Sequence, residues 1–154
     1  MKIWISYFYN VRFLRPNQIP VSTAKWDPRW FHNNIAGQAH VFFDKRGIAN
    51  GFRLRSLAPG KTCDNLCTGS CEPKVPEHCA FLEAYRAQLS RLDFDSVMLE
   101  LERIINTVEK YETSTEDYEI VLMVYEAKDN PCSERQPLID WFRENGYELE
   151  EWSK

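Results

Sequence analysis

Residues 120–146 read IVLMVYE (120–126), AKDNPC (127–132) and SERQPLIDWFRENG (133–146). The first stretch is a continuous apolar run of strand length, typical of a central strand that is covered on both faces. The third stretch has the pattern of a helix, with Ser133 and Gln136 spaced as a capping box and Gly146 where a helix would end. The order predicts a loop that leads from the carboxyl end of a central strand to the amino end of a helix.

This loop and helix start carry most of the chemistry in the chain. In open α/β sheets, ligands bind at the carboxyl ends of strands, and unpaired N–H groups at a helix start favour anions. Cys132 precedes the helix, where the helix dipole favours a thiolate, so it is either a nucleophile or an idle thiol. Arg135 lies in the first turn, where a cation is disfavoured by about 0.3 to 1 kcal/mol unless an anion neutralises it. That anion is either a ligand or the carboxylate of Glu126 or Asp129.

The remaining periodicity predicts alternating strands and helices. Strands are predicted at 2–8 and 19–23, a hairpin at 41–54, and helices at 81–92 and 94–108. Asp93 is a plausible cap between the two helices, and Asp27 and Pro28 begin a short helix. We therefore expect an α/β fold: a single-domain, three-layer sandwich over residues 1–154, with a mostly parallel central sheet, flanking helices, a small hairpin and a cysteine-rich loop.

Length and composition exclude several classes of protein. The chain has 154 residues, is 44% hydrophobic and contains nine Phe, five Trp and seven Tyr, which excludes a disordered or collagen-like protein. No apolar run approaches the ~20 residues that span a bilayer. The first seven residues, MKIWISY, alternate apolar and polar side chains and lack the features of a secretory signal. We expect a cytoplasmic protein with no membrane partner.

Charge is distributed unevenly along the chain. The net charge is −4, yet residues 1–62 carry a net charge of +8 and the remainder carries −12. One interpretation is an anion-binding face built from the N-terminal half, with Trp26, Trp30 and Phe52 available to stack on bases. The other is that the two halves interleave in one fold and neutralise each other.

Four of the five cysteines lie in the segment TCDNLCTGSCEPKVPEHC (62–79). They are separated by three, three and seven residues, and Gly69, Pro73 and Pro76 supply turns between them. Four thiolates suit a structural zinc ion, so we predict zinc bound within an insertion over residues 61–79, by Cys63, Cys67, Cys71 and Cys79. The spacing lacks a CxxC pair, which leaves free thiols, disulfides and an iron–sulfur cluster open. A closed four-ligand site holds a loop and leaves no position for catalysis.

Five segments resemble the family called domain of unknown function 488. They are ISYFYNVRFL (5–14), IPVSTAKWDPRWF (19–31), LAP (57–59), FLEAYRAQLSRLD (81–93) and VLMVYEAKDNPCSERQPLIDWFRENGYELEEW (121–152). Family members show a strand ending in CYE and a CHR triplet that opens the last helix. Tyr125, Glu126, Cys132 and Arg135 match these motifs.

The chain departs from the family at two positions. Val124 replaces the strand cysteine, and Ser133 and Glu134 stand where the family has a histidine after Cys132. Chemistry that uses this histidine as a base is therefore in doubt here. The resemblance implies a small α/β fold and a polar site at the last helix, with no established reaction to transfer.

Our main expectation is a protein that binds a nucleotide, another phosphorylated small molecule or a nucleic-acid end at the Cys132–Arg135 helix start. The residues expected to contact this ligand are Arg135, Ser133, Tyr7, Ser6, Arg12, Arg29, Arg53 and Trp26, the last by stacking. Tyr7 and Ser6 require the first strand to lie beside the 120–126 strand.

Two alternatives belong to other functional classes. One is an enzyme acting on the same ligands, with Cys132 as nucleophile, Glu126 as general acid or base, and Tyr125 as a further candidate. The other is a zinc-stabilised module that binds another protein through an apolar surface. Salt separates this last class from the first two, because anion binding weakens as salt rises.

Overall fold

The structure, a computed structural model, describes residues 1–32, 42–43, 49–50, 52–64, 66, 75–110 and 114–154. Its strands and α-helices are β1 (Ile3–Tyr7), β2 (Gln18–Ser22), β3 (Phe42–Phe43), β4 (Ala49–Asn50), β5 (Phe52–Arg53), α1 (Ala80–Ser90), α2 (Phe94–Glu109), β6 (Glu119–Val124), α3 (Arg135–Glu144) and β7 (Glu150–Glu151). None of the helices in these ranges combines the length and apolar character needed to cross a membrane.

Five strands form one parallel sheet in the order β5-β2-β6-β1-β7. The apolar run at 120–124 supplies β6, which pairs with β1 on one side and β2 on the other, so that Ile120 aligns with both Ile3 and Ile19. Residues 120–124 are all buried. The prediction of a central strand covered on both faces is confirmed, and with it the α/β fold with a parallel sheet and flanking helices.

Alternating side chains of β6 contribute to two separate cores. Ile120, Leu122 and Val124 pack with side chains of α1, α2 and α3. Val121 and Met123 pack on the opposite side with residues of the short 3₁₀ helix Phe8–Phe13 and with Phe31. One outer layer is thus built from α-helices and the other largely from short 3₁₀ segments and loops.

The predicted hairpin over 41–54 is only partly correct. Residues Phe42–Phe43 and Ala49–Asn50 form a two-stranded antiparallel pair. Phe52–Arg53 leaves that pair and instead joins the main sheet, parallel to β2. The Phe52 side chain packs against the larger core, so burial of an apolar side chain favours the sheet edge over a longer hairpin.

The predicted capping box of α3 is also wrong. The helix begins at Arg135 and its cap position is Glu134, which places Ser133 one residue too early. The Ser133 hydroxyl accepts a hydrogen bond from the Arg135 N–H and donates one to Glu126. The Gln136 amide donates to Asp140 rather than returning to the cap.

The helix boundaries predicted at Asp93 and Gly146 are confirmed. The Asp93 carboxylate accepts from the Ser96 N–H and caps α2. Gly146 has φ of 84°, its N–H donates to the Arg143 carbonyl, and the Tyr147 N–H donates to the Phe142 carbonyl. This is a Schellman motif, with the rings of Phe142 and Tyr147 in contact at 5.9 Å between centroids.

Ion pairs join the basic and acidic parts of the chain. Lys2 pairs with Glu150, Arg15 with Glu119 and Lys25 with Asp64. These contacts favour the interpretation in which the two halves interleave over that of one basic face.

We predict that Gly146→Ala lowers the free energy of unfolding by about 1 kcal/mol, because a Cβ strains a residue held at positive φ. A steric clash is not the cause of this loss of stability, because a Cβ at Gly146 would meet no atom within 4 Å. Urea denaturation measures the loss. Gly146→Asn serves as the control and should lose less, because asparagine tolerates this conformation. Equal stability of Gly146→Ala and the unmodified chain would contradict the account.

Candidate functional site

The sheet has a topological switch point between β2 and β6. The chain leaves β2 for the outer strand β5 and leaves β6 for β7 at the opposite edge. Outgoing connections therefore diverge at the carboxyl ends of β2 and β6. In open α/β sheets this divergence creates the crevice in which ligands bind.

Polar side chains gather at this switch point. We call them the switch-point cluster: Asp27, Arg53, Tyr125, Glu126 and Glu134. Asp27 accepts a hydrogen bond from Ser22 at the end of β2, and its carboxylate lies 4.0 Å from Arg53 Nε. Burial raises the pKa of Tyr125, and the negative charge of Asp27 adds to this while Arg53 opposes it. The cluster therefore joins residues that follow three neighbouring strands.

Glu134 is the least satisfied member of the cluster. Its Oε2 atom is buried and has no hydrogen-bond partner in the ranges that the structure describes. Burial, followed by the negative charge of Glu126, raises the pKa of Glu134 to about 8. Glu126 differs because it accepts a hydrogen bond of 3.1 Å from Ser133. Two adjacent carboxyl groups in unlike environments are the arrangement that acid–base enzymes use.

A cavity of about 340 Å³, which we call the α3 groove, lies between the amino-terminal parts of α1 and α3. Among the residues that the structure describes, the groove is lined by three basic ones, Arg86, Lys128 and Arg135, and by one acid, Glu77. Ser133 also lines the groove, and its bond to Glu126 links the groove to the switch-point cluster. The groove thus places an excess of positive charge at the start of a helix.

Arg135 is buried in the wall of this groove. Its Nε donates to Glu151 at 3.0 Å, and its side chain is only 7% exposed. The two terminal nitrogens, Nη1 and Nη2, are buried and have no hydrogen-bond partner within the described part of the chain. Unpaired charged donors are costly, since each loses its hydration without a compensating bond.

The partner of Arg135 differs from the expected one. The sequence left either a ligand or the carboxylate of Glu126 or Asp129 as the anion, whereas the structure pairs Arg135 with Glu151 of β7. The reason is the parallel return of the chain: β7 runs beside β1, which brings its carboxyl end to the start of α3. Burial raises the pKa of Glu151, although Arg135 and Lys128 act against this. The ion pair occupies one of the three guanidinium nitrogens.

Tyr7 and Ser6 reach the same sheet edge, because β1 is next to β6 as required. Ser6 is fully buried, donates to the Trp152 carbonyl and accepts from the Asn10 amide, so it is occupied within the protein. Tyr7 lines a second, wider space of about 490 Å³, which we call the β1 cavity. Asn10 and Lys128 line it too.

The remaining predicted ligand contacts lie apart from both cavities. Arg12 is exposed and sits 4.3 Å above the Tyr9 ring, and Arg29 is exposed at the start of the 3₁₀ helix Arg29–His32. Trp26 is 72% exposed after β2. Arg53 donates hydrogen bonds to the carbonyls of Ala24 and Lys25, so its role is to stabilise the structure of the switch-point cluster. The structure does not bring these four together with Arg135 in either cavity.

Of the candidate catalytic residues, Tyr125 and Glu126 belong to the switch-point cluster. Cys132 is half-buried in the loop before α3, where its N–H donates to Asn130 Oδ1 at 3.0 Å. It does not line the α3 groove.

The structure describes two of the four predicted zinc ligands. Cys63 is buried against the end of α1, with its Sγ 3.8 Å from Gln88 Oε1, whereas Cys79 directly precedes α1. One zinc ion would require these two thiols to approach each other. Cys67 and Cys71 lie outside the described residues, and within the described ranges no three His, Cys, Asp or Glu side chains are grouped as metal ligands. The zinc site stays a prediction.

Sequence reasoning missed Glu134 as a functional candidate, along with Lys128, Arg86 and Glu151. The available signal for Glu134 was its place at the helix start, where the resembled family has histidine. Lys128 lies in the loop between the central strand and α3, and loops of this kind often carry ligand contacts. Arg86 and Glu151 come from elements whose approach to α3 depends on the tertiary fold.

No family model matches the chain, no curated protein matches it, and no solved structure matches it. The resemblance to the domain of unknown function 488 family therefore stays a prediction, and the site is interpreted from its own geometry.

We predict that Glu134 makes the folded protein less stable as pH rises. The folded state holds this proton up to about pH 8, while an unfolded chain releases it near the ordinary value of 4.5. The stability that the retained proton contributes is full below 4.5 and is lost as pH approaches 8. Glu134→Gln should remove this loss. As pH rises from 5 to 8, the melting temperature of the variant should therefore increase relative to that of the unmodified chain at the same pH.

Thermal unfolding followed by circular dichroism at several pH values makes this measurement. Glu144→Gln is the matched control, because Glu144 is an exposed residue of the same helix. Its melting temperature should follow that of the unmodified chain at every pH. Parallel profiles for Glu134→Gln and the unmodified chain would refute a raised pKa at Glu134.

Proposed function

We propose that this protein binds a phosphorylated small molecule in the α3 groove. The observation that carries the proposal is the Arg135 guanidinium, buried in the groove wall with two nitrogens that have no acceptor among the described residues. A phosphate oxygen in the groove would accept from these nitrogens and remove the cost of leaving them unpaired. Arginine suits this role because its planar group donates two parallel bonds to phosphate.

Three further features support an anionic ligand. Lys128 and Arg86 add positive charge to the wall, although Arg86 already pairs with Asp140. The N-terminus of α3, a ten-residue helix, provides a partial positive charge at the same place. Ser133 and Gln136 supply polar groups that can hydrogen-bond to a phosphate ester.

The size of the groove favours a small molecule over a nucleic-acid end or a protein. Small-molecule sites are concave and enclose about 300 to 1,000 Å³, and the groove of about 340 Å³ falls in this range. Nucleic-acid binding needs an extended basic track. Several basic residues of the N-terminal half are instead paired with acids.

We expect Arg135→Met and Lys128→Met each to raise the dissociation constant for ribose 5-phosphate by about 10- to 100-fold, the loss of one charged hydrogen bond. Isothermal titration calorimetry measures it. Arg143→Met is the control, because it removes one positive charge from the exposed end of the same helix. Its affinity should match that of the unmodified chain.

Loss of the buried Arg135–Glu151 pair could unfold Arg135→Met. In that case Lys128→Met still tests the proposal, because Lys128 is exposed and its side chain is not part of that pair. Affinity should also fall as salt rises, because ions screen the attraction. Unchanged affinity in Lys128→Met, or binding that does not respond to salt, would contradict the proposal.

A second candidate function is an enzyme acting on the same ligand. The observation that favours it is Glu134, a carboxyl group that keeps its proton near neutral pH beside Glu126, which in turn accepts a hydrogen bond from Ser133 in the groove wall. A protonated acid of this kind can protonate a leaving group, an effect worth about 100- to 10,000-fold in rate. Cys132 is a weaker candidate because it neither lines the groove nor belongs to the switch-point cluster.

Phosphorus NMR of the protein mixed with ribose 5-phosphate separates binding from catalysis. An enzyme would produce a new resonance with time, and Glu134→Gln would abolish it while leaving affinity intact. A spectrum that shifts on binding and then stays constant would support the binding protein.

A further inference from the structure

We infer that the ligand of the α3 groove is a nucleoside monophosphate whose base occupies the β1 cavity. This rests on the proposed function, which places the phosphate beside Arg135. It adds a second subsite and names the chemical class of the ligand.

The two cavities adjoin at Lys128, which lines both of them. The β1 cavity follows the carboxyl end of β1, and the groove lies beyond the carboxyl end of β6, the strand next to it. Their volumes are about 490 Å³ and about 340 Å³. A ligand with a phosphate in the groove therefore has room for a second group past the Lys128 side chain.

The β1 cavity offers a fixed aromatic ring and a fixed amide. The Tyr7 ring stacks on Tyr9, with centroids 6.0 Å apart and planes 22° apart, which holds its orientation. Asn10 is buried, and its Nδ2 donates to Ser6, which in turn donates to the Trp152 carbonyl. That bond uses one of the two amide hydrogens of Asn10. A nucleobase has the matching parts, a flat face for stacking and a hydrogen-bonding edge.

The charges of the two walls favour a monophosphate. Positive charge is concentrated in the α3 groove, whereas Asp129 lines the β1 cavity beside Lys128. A second phosphate in the β1 cavity would meet that carboxylate. A ligand with one charged end and one uncharged, flat end matches this distribution.

The test compares adenosine 5′-monophosphate with ribose 5-phosphate by isothermal titration calorimetry. The two probes share the phosphate and ribose, so the ratio of their dissociation constants isolates the base. We expect the unmodified chain to bind the nucleotide about 10- to 100-fold more tightly, the effect of one stacked base. The ratio within one variant is also insensitive to partial unfolding, which lowers both apparent affinities equally.

Matched variants locate the base. Tyr7→Phe keeps the ring and should keep the ratio, whereas Tyr7→Leu should reduce it to about one while ribose 5-phosphate still binds. Trp26→Leu removes the exposed aromatic side chain that lies apart from both cavities and should leave the ratio unchanged.

The outcomes distinguish this inference from the proposed function. If neither probe binds, the phosphate site itself is wrong. If both bind with equal affinity, the phosphate site stands and the base subsite is overturned. A ratio lost in Trp26→Leu and retained in Tyr7→Leu would also overturn it, because the base would then stack elsewhere.

Discussion

The burial of β6 between β1 and β2 is the constraint on which the rest of the structure depends. Five consecutive apolar residues, 120–124, are removed from water on both faces, and this is possible only if layers of chain cover both sides of the sheet. Because β6 is parallel to both neighbours, the segments that follow β1, β2 and β6 all emerge at one edge. The switch-point cluster, the α3 groove and the β1 cavity all lie at that edge.

Carboxylates at the two ends of β6 differ in how well their oxygens are hydrogen-bonded. At the amino end, Glu119 accepts hydrogen bonds of 3.0 Å from Trp4, Arg15 and Gln18, which tie β6 to β1 and to the segment that enters β2. Burial acts to raise the pKa of Glu119, but these bonds outweigh it and lower the value. Beyond the carboxyl end, Glu134 Oε2 and the terminal nitrogens of Arg135 have no hydrogen-bond partner among the residues that the structure describes. A folded protein satisfies most of its buried polar groups, so the exceptions point to the end where a ligand binds.

Local patterns in the sequence were sufficient for the main elements of the fold. The apolar run predicted the central strand, Asp93 the start of α2 and Gly146 the end of α3, since each depends on contacts within a few residues. The pairing of Arg135 with Glu151 was beyond such patterns, because β7 has two residues and finds its place only through the sheet. The same holds for Phe52, which changes partner from a predicted hairpin to the main sheet. The helix start was predicted as the site, whereas the basic groove beside it required α1 to pack next to α3.

A nitrogen-15 NMR titration with ribose 5-phosphate would show most clearly whether a phosphate binds in the α3 groove beside Arg135. It follows the backbone N–H groups of residues 133–136 and the side-chain Nε–H of Arg135, and each signal reports its own position. We expect saturable shifts concentrated at these groups and at Lys128, with a separate change at Arg135 Nε–H as its terminal nitrogens gain acceptors. Shifts centred on Arg12, Arg29 or Trp26, or the absence of saturable shifts at residues 133–136, would contradict this expectation.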